Sequence, residues 1–546
     1  MRKAIAPLAV FAAALAVRAL TAAGISFPIP EDSAYYVDVA RNVAAGRGFV
    51  SDVVWSYATA PLAVPRPAFD LWQPLVSFIE APFMVLLGRS LAAAQLPSVL
   101  LGAAVAPLAW LVARRAADEM GLAPGRADVV AFTSGLLVAL TPLLVIQSAE
   151  PDSSTPYTAL AVAACALMPA TLGDGPGTVQ RRLLLGAAIG LAFLARTDAL
   201  YIVAAYVALA AIVVRQARLP VGLVARHAAP ALAIAALVSL PWVVRQAVTW
   251  TGSPLGQFVQ NMWLVRFTDI FAWSTPPTLA SHLALGPLAL AQLRLEALVS
   301  DALLLLIVAS PAAIVGIVAL VLRRDAAMAP SLLPLALVGA LTFFVDALVF
   351  PVASQSGLWA HGAGPAIVFV AIMAAFGLEA LLARVGAARG WRSPSGALSR
   401  SGVIAPLAVA IVSAPLIALA GTLEHERSTT TAAQYQALAS ASVRWDLAVG
   451  SPIVSDHPMW VAETTDHPAL PLPREAPGSV VDLMRHFGAE AVVIRGDDAE
   501  VAASGLALAA YRDATGRACF RELPAVAPFR AFGFACATVT ATLGEP

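Results

Sequence analysis

The 546-residue sequence has little charge: Asp, Glu, Lys and Arg make up only 12% of it, and lysine occurs once, at Lys3. A soluble globular protein carries about 25% charged residues, so much of this surface is expected to face lipid. The formal net charge is zero, which argues against a nucleic-acid-binding protein. Three cysteines are too few and too scattered for a disulfide framework or a zinc cluster.

Long apolar runs are what the sequence has in abundance. A membrane-spanning helix needs roughly 20 apolar residues, and we predict a mainly α-helical, polytopic transmembrane bundle of about eleven spans. The first run follows Arg2-Lys3 and also has the form of a signal peptide, but its length suits a span and many more runs follow. The runs are Ala4–Ile25, Leu91–Ala113, Val129–Ile146, Tyr157–Leu172, Leu183–Ala195, Leu200–Val214, His227–Val244, Leu298–Leu322, Ala329–Phe350, Pro365–Ala383 and Val403–Leu423.

Arginine clusters set the predicted orientation, because cytoplasmic loops favour Arg and Lys. With Arg2-Lys3 inside, Arg114-Arg115 and Arg181-Arg182 also fall inside only if the apolar segment Pro74–Leu87 does not span. We therefore expect that segment to lie along the interface or to re-enter. The same orientation places three acid-bearing segments on the outer side: FPIPEDSAYY (27–36), AEPDSSTPY (149–157) and ARTDALY (195–201).

The first outer loop and the end of the chain predict structure outside the membrane. Tyr35, Val39 and Val43 lie at helical spacing, which predicts an interfacial helix that Gly46 and Gly48 would end. After Leu423, SPIVSD (451–456) and AEAVVIRG (489–496) predict short buried strands, and SVVDLMRHFG (479–488) predicts a helix that ends at its glycine. We predict a transmembrane domain over residues 1–423 and a small outer α/β domain over residues 424–546.

Two cysteines in the outer domain leave a question that the sequence does not decide. In an oxidising compartment Cys519 and Cys536 could form a disulfide bond, and two buried free thiols fit the sequence equally well.

The outer acids suggest chemistry at the membrane surface. A carboxylate in a partly dry cavity is a stronger base than in water and can take a proton from an acceptor hydroxyl. If the leaving group is a phosphate, the site also needs positive charge, and Arg66 and Arg196 are candidates because a guanidinium suits phosphate oxygens.

The candidate acids, Arg196 and His361 also have structural explanations, since acids are common at helix starts and turns and since charges in membranes usually find partners. The alternatives are a helix cap for Glu31 or Asp32, a turn for Glu150 and Asp152, an ion pair for Arg196 with Asp198, and a structural interface contact for His361.

The order of the motifs resembles that of the GT-C glycosyltransferases, most closely the bacterial protein-mannosyltransferase and aminoarabinose-transferase-like enzymes. PEDSAYYVDVARNVAAGRGF (30–49) is similar to the family's acidic signature after the first span. VPRPAFDLWQP (64–74) resembles its segment with a cation-Pro pair, with Arg66 where relatives often carry Lys. LTPLLVIQSAEPDSSTPY (140–157) resembles the family's second acidic loop, and GLAFLARTDALY (190–201) resembles its Arg-x-Asp stretch. PIVSDHPMWVAETTDHPALPLP (452–473) resembles its outer C-terminal tail.

The resemblance implies an inverting transfer of a sugar from a polyprenyl-phosphate carrier to a protein, lipid or glycan acceptor, on the outer face of a bacterial inner membrane. It implies Asp32 or Glu31 as the base or acceptor-orienting group, and Asp152 or Glu150 as the second acid. We expect the donor phosphate to contact Arg66 and Arg196, and the substrates to contact Tyr35, Tyr36, Trp72, Asp198 and His361.

No cofactor is indicated, and the spacing of His, Asp and Glu does not mark a metal site, although two acids could hold a divalent cation. The alternative function is a non-catalytic carrier or flippase for lipid-linked sugars, or a membrane scaffold. Transporters often have inverted repeats and charges at the midplane, whereas this sequence has no repeat and its acids gather at one face.

Overall fold

The computed structural model describes residues 2–173, 177–218, 220, 222–250, 256–322, 328–391, 394–496 and 499–536. This part of the chain is mainly helical. The helices are α1 Arg2–Gly24, α2 Glu31–Ala44, α3 Leu75–Leu87, α4 Leu91–Glu119, α5 Pro124–Ala139, α6 Pro142–Ala149, α7 Ser154–Leu167, α8 Thr178–Ala195, α9 Ala199–Gln216, α10 Gly222–Thr249, α11 Gly256–Asn261, α12 Leu279–Leu283, α13 Gly286–Val308, α14 Pro311–Val321, α15 Leu333–Val349, α16 Pro351–Ala353, α17 Trp359–Gly362, α18 Gly364–Ala388, α19 Pro394–Ser442, α20 Pro458–Thr465, α21 Pro477–Phe487 and α22 Ala499–Ala510. The strands are β1 Val50–Ser51, β2 Arg66–Pro67, β3 Ile453–Ser455, β4 Ala469–Pro471, β5 Ala491–Ile494, β6 Phe520–Leu523 and β7 Arg530–Phe534.

The predicted polytopic helix bundle is confirmed. Eight described helices are long and apolar enough to cross a membrane, or up to ten spans if each of two bent helix pairs counts as one. The remaining predicted run, Tyr157–Leu172, forms the 14-residue α7 and a turn of 3₁₀ helix. Such a helix rises only about 21 Å, less than the ~30 Å hydrocarbon core of a bilayer. Helix α3, at 13 residues, is also too short, in agreement with the prediction that Pro74–Leu87 does not span.

Two predicted spans are broken. The run Val129–Ile146 is divided into α5 and α6, which meet at 52°, and the run Leu298–Leu322 is divided into α13 and α14, which meet at 110°. Pro142 and Pro311 each start the second helix of a pair. A proline lacks the N–H that would continue the preceding helix, which explains why both breaks occur at these positions.

The chain folds as two compact units. The first comprises Met1–Ser26, Trp72–Gln246 and Pro287–Glu426, and the second comprises Phe27–Leu71, Ala247–Gly286 and Arg427–Pro546. The predicted division after residue 423 stays a prediction. The second unit is larger than the predicted C-terminal domain, because it also includes most of the first long loop and residues 247–286.

In the first unit, small residues allow close helix packing. Helix α4 packs against α1, α5 and α7, and α18 packs against α14, α15 and α5. A Cβ atom added to Gly377 on α18 would lie 1.7 Å from the carbonyl oxygen of Gly316 on α14. One added to Gly364, at the start of α18, would lie 1.9 Å from the hydroxyl of Thr158 on α7. Without a large hydrophobic contribution between helices, close packing of this kind is what holds membrane helices together.

The second unit is built on a five-stranded mixed sheet with the order β4-β3-β5-β7-β6. Strands β3 and β5 and helix α21, which ends at Gly488 in the left-handed conformation, confirm the predicted α/β module. Helix α2 confirms the helix predicted in the first loop, and the chain reverses after it at Gly46, with φ 78°. Most of α2 is buried in the protein, including Tyr35 and Tyr36.

Residues of the first loop complete the sheet of the second unit. The amide of Ala469 in the edge strand β4 donates to the carbonyl of Asp52, and the amide of Val54 donates back to Ala469. Val54 and Tyr57 belong to the hydrophobic core that packs around this sheet. A disulfide bond joins Cys519 to Cys536, which decides between the two alternatives that the sequence left open.

Candidate functional site

In the first unit, two helix junctions and one short helix carry five of the predicted site residues. Glu150 and Asp152 lie between α6 and α7, and Arg196 and Asp198 lie between α8 and α9. His361 lies on the short helix α17, just after a turn in which Gly357 has φ 122°. A side chain other than glycine would be strained at that φ value, so Gly357 fixes the backbone from which His361 projects.

The carboxylate of Asp152 lies against the imidazole of His361. Oδ2 of Asp152 is 2.8 Å from Nδ1 of His361, and the same Nδ1 is 2.8 Å from the hydroxyl of Ser154. The hydroxyls of Ser153 and Ser154 donate to Asp152 over 3.0 and 3.2 Å. The Asp152 side chain is 3% exposed and that of His361 is 25% exposed, so the acid is buried and the ring is within reach of a ligand.

The charges around Asp152 keep it ionised. Burial acts to raise the pKa of Asp152, but the charge and hydrogen bond of His361, the charge of Arg196 and the hydrogen bond of Ser153 together outweigh burial and lower the pKa below its usual range. Asp152 is therefore a fixed negative charge and a weak base.

Arg196 and Asp198 form the ion pair that the sequence offered as the structural alternative. Nε of Arg196 donates to Oδ2 of Asp198 over 2.7 Å, and Nη1 donates to the hydroxyl of Ser153 over 3.2 Å. The guanidinium also lies 6.0 Å from the ring centroid of Tyr157. Arg196 is thus connected to Asp152 through Ser153, and the two junctions form one hydrogen-bonded network.

Two buried acids near this network were not predicted. Oδ1 of Asp346, on α15, accepts a hydrogen bond from the hydroxyl of Tyr201 over 2.9 Å. A Cβ atom on Gly362 would lie 2.9 Å from Oδ2 of Asp198 and 3.7 Å from Oδ2 of Asp346. Glu80, on α3, is fully buried, and burial together with the charge of Asp152 raises its pKa well above the usual value. Each is a single acid in an apolar run of the sequence. This pattern could have predicted both as candidate site residues, because ionisable residues are rare in such runs.

In the second unit, the first two residues of α2 have different surroundings. Oε1 of Glu31 is 2.9 Å from Nδ1 of His457, and its Oε2 accepts from the amide of Met459 over 3.3 Å. Asp32 is partly exposed beside it in the first helical turn. The alternative of a helix cap is wrong for both acids, because Pro30 is the N-cap of α2 and no side chain caps it. Both carboxylates lie in the first turn instead, at the positive end of the α2 dipole.

Arg66, a predicted phosphate contact, is bound by protein groups of the second unit. Its guanidinium donates to the carbonyls of Ser56 and Thr59 over 3.0 Å each, lies 3.5 Å from Asp70, and stacks 4.8 Å from the ring centroid of Trp250. The side chain is 2% exposed, and only Nε has no hydrogen-bond partner among the described residues. These contacts explain Arg66 structurally, and its contact with phosphate stays a prediction.

The other predicted substrate contacts also have packing roles or stay open. Tyr35 and Tyr36 are fully buried, and the hydroxyl of Tyr35 accepts from the amide of Phe69 over 2.6 Å. Trp72 is half-buried just before α3, and Glu150 is buried at the end of α6. Substrate contacts by the tyrosines and the tryptophan, and a role of Glu150 as the second acid, stay predictions.

Comparison with known proteins finds similarity at the level of structure. No protein-family model and no curated protein matches the sequence. The structure is similar to that of ArnT from Cupriavidus metallidurans bound to undecaprenyl phosphate, with a TM-score of 0.58 and 14% identity over 99% of both chains. The apo state of that protein gives a TM-score of 0.55 and 14% identity over 96% of this chain and 97% of the other.

The archaeal oligosaccharyltransferase AglB from Archaeoglobus fulgidus, in complex with an inhibitory peptide and a dolichol-phosphate, gives a TM-score of 0.51. The identity is 12%, over 98% of this chain and 75% of AglB. Identities this low show the fold. The resemblance that the motifs indicated is therefore confirmed as one of architecture: this chain has the fold of the GT-C membrane glycosyltransferases.

Proposed function

We propose that the chain is a membrane glycosyltransferase that moves a sugar from a polyprenyl-phosphate carrier to an acceptor hydroxyl, with inversion at the anomeric carbon. The fold supports this proposal, because ArnT and AglB have the same architecture and were solved with undecaprenyl phosphate and a dolichol-phosphate bound. Membrane lipids, the lipid-linked donor and a protein, lipid or glycan acceptor are the partners that the reaction needs.

The observation that carries the proposal is the buried carboxylate of Asp152, which contacts His361 directly and Arg196 through Ser153. Departure of a sugar from phosphate places positive charge on the sugar ring and negative charge on the phosphate. Fixed charges at the ends of helices can stabilise both without reorganising during the reaction. We assign Asp152 to the developing positive charge, Arg196 to the phosphate oxygens, and His361, which Asp152 orients, to a contact with the substrate.

A carboxylate other than Asp152 takes the proton of the acceptor hydroxyl. The acceptor oxygen attacks the anomeric carbon from the face opposite the phosphate, the bond from that carbon to the phosphate oxygen breaks, and its electrons leave with the carrier phosphate. Asp152 is too weak a base to take the acceptor proton. We assign this step to Asp32, a partly exposed carboxylate in the first turn of α2.

The disulfide bond supports an outer location for the second unit. Disulfides are rare in the bacterial cytoplasm and persist in the oxidising periplasm. The bond between Cys519 and Cys536 therefore agrees with the predicted orientation, in which the C-terminal part of the chain lies on the outer side of the inner membrane.

A transfer assay tests the proposal. The purified protein in lipid nanodiscs is given a synthetic polyprenyl-phosphate sugar and a set of acceptors, and the release of polyprenyl phosphate is measured. We expect acceptor-dependent release that falls about 10²–10⁴-fold in Asp32→Asn, the range typical of a lost general base, and changes less than threefold in the neighbouring control Glu31→Gln.

Two results would contradict the proposal. The first is that no polyprenyl phosphate is released from the polyprenyl-phosphate sugar with any acceptor, which is the result expected of a carrier, flippase or scaffold. Full activity in Asp32→Asn would remove Asp32 from the reaction while leaving the class of enzyme intact.

A further inference from the structure

A fully buried arginine lies inside the first span of the bundle. Arg18, on α1, is 0% exposed, and among the described residues no carboxylate lies within ion-pair distance of it. Its guanidinium donates instead to the carbonyls of Ala139 at 3.0 Å, Ala14 at 3.3 Å and Val138 at 3.5 Å, and to the hydroxyl of Ser148 at 3.1 Å. A charge at membrane depth costs free energy, so a buried arginine with this set of partners calls for an explanation.

The break between α5 and α6 supplies the partners. In an unbroken helix the carbonyl of Val138 would accept from the amide of residue 142, which is Pro142 and has no N–H. The carbonyl of Ala139 loses its partner at the same break. Arg18 donates to both, at the negative end of the α5 dipole, so the cation and the unsatisfied carbonyls stabilise each other.

The same guanidinium fixes the far end of α6. Ser148, which Arg18 contacts through Nε, lies one residue before the end of this eight-residue helix. Gln95 on α4, which is 4% exposed, donates to the carbonyl of Ala149 over 2.8 Å and to that of Ala22 over 3.2 Å. Two buried polar side chains therefore hold α6 at the residues that lead directly into Glu150 and Asp152.

We propose that Arg18, together with Gln95, is a positioning residue for the acidic loop: it holds the broken helix α5–α6 so that the carboxylate of Asp152 lies against His361. The inference rests on the proposed function only for its effect on catalysis. Its effect on the structure of the loop is independent of the reaction.

Four variants of the full chain in nanodiscs test the inference. Arg18→Met removes the donors and Arg18→Lys keeps the charge. Gly102→Ala disturbs the hydrogen bond between Arg18 and Ser148 while both residues are kept. The added Cβ would lie 2.1 Å from Oγ of Ser148 and 3.0 Å from Nε of Arg18. Gly135→Ala is the packing control. Its Cβ would lie 3.2 Å from Val10 and from the carbonyl of Ala106, and neither belongs to the contact of Arg18 with Ser148.

Hydrogen exchange provides a readout that does not need activity. We expect peptides covering residues 141–157 to exchange at least tenfold faster in Arg18→Met and Gly102→Ala, less so in Arg18→Lys, and as in the wild type in Gly135→Ala. Unchanged exchange in both Arg18→Met and Gly102→Ala would overturn the inference. If Arg18→Met does not fold, Gly102→Ala and Arg18→Lys decide the question.

A double-mutant cycle provides the catalytic readout. Arg18→Met is expected to lower kcat at least tenfold with little change in KM in the wild type, and to have no further effect in Asp152→Asn, because both changes act through the same carboxylate. Equal effects in both backgrounds would show a general structural role and overturn the inference. If the wild type transfers no sugar but the variants show the expected faster hydrogen exchange, the proposed function is contradicted and the positioning role of Arg18 is not.

Discussion

Oδ2 of Asp152 lies 2.8 Å from Nδ1 of His361, and this pair joins the second acidic loop to the short helix α17. The carboxylate is buried while one quarter of the imidazole is exposed. We therefore propose that Asp152 acts on a ligand through the imidazole ring that it orients and through its negative charge.

Replacing Asp152 by Asn is expected to lower kcat about 10²–10³-fold, because a preorganised charge is removed while the shape is kept. The measurement is the transfer assay, with Asp128→Asn as control, since Asp128 is a 67% exposed carboxylate on α5. His361→Gln should cause a similar loss, and the double variant should lose little more than either single one. A loss of less than threefold in Asp152→Asn would contradict this role.

Acid should weaken the same contact. The pKa of Asp152 in the folded protein lies below the value near 3.9 of an unfolded aspartate. The stabilisation by His361 and Arg196 is therefore complete above that value and is lost as the pH falls below it.

Asp38 in the second unit should give stability the opposite pH dependence. Burial and the nearby charge of Asp52 raise the pKa of Asp38 to about 7, so the folded protein holds a proton that the unfolded chain releases near pH 4. Stability then falls as the pH rises from about 4 to 7, by about 1–2 kcal/mol after allowance for partial exposure. Thermal unfolding at pH 5 and pH 8 measures this fall.

The matched variants for this measurement are Asp38→Asn and Asp482→Asn. Asp38→Asn should remove most of the fall in stability, whereas Asp482, whose side chain is 68% exposed on α21, should leave it unchanged. An identical pH dependence in all three proteins would show that Asp38 does not hold the proton.

Gly364→Ala should damage both stability and activity. Its Cβ would meet the hydroxyl of Thr158 at 1.9 Å and would push α18 away from α7, whose first turn adjoins Asp152. Overpacking of this kind costs about 1–3 kcal/mol. The control is Gly421→Ala on α19, where nothing lies within 4 Å and better helix propensity should stabilise by up to about 1 kcal/mol. An equal change of the thermal midpoint in both variants would contradict the close contact between Gly364 and Thr158.

Thiol labelling should find one reactive cysteine in the denatured, unreduced protein and three after reduction. The single free thiol is Cys165, buried on α7, and the other two form the disulfide bond. Reduction should lower the thermal midpoint of the second unit, because a bond across 17 residues stabilises by about 3 kcal/mol. Three reactive thiols without reduction would show that the bond is absent.

The sequence predicted those features that depend on local pattern. Apolar length predicted most of the spans, short apolar runs predicted β3 and β5, and a glycine predicted the end of α21. The acid-bearing segments predicted Asp152 and Asp198 as site residues, and their roles stay predictions. It did not find the contact between Asp152 and His361, because no local pattern encodes the approach of two distant segments. Asp346 and Glu80 were missed because each is one acid in a run whose average is apolar, and burial of a single side chain does not change that average.

The edge of the sheet has a consequence for how the chain is made. Strand β4 finds its outer hydrogen-bond partners at Asp52 and Val54, which leave the ribosome more than four hundred residues before it. These two hydrogen bonds can therefore form only after β4 has been synthesised. A fragment that begins at residue 424 would expose that edge, and exposed edges pair with other chains. The tail and the early segment are thus expected to be inherited, expressed and engineered together, although almost the whole sequence separates them.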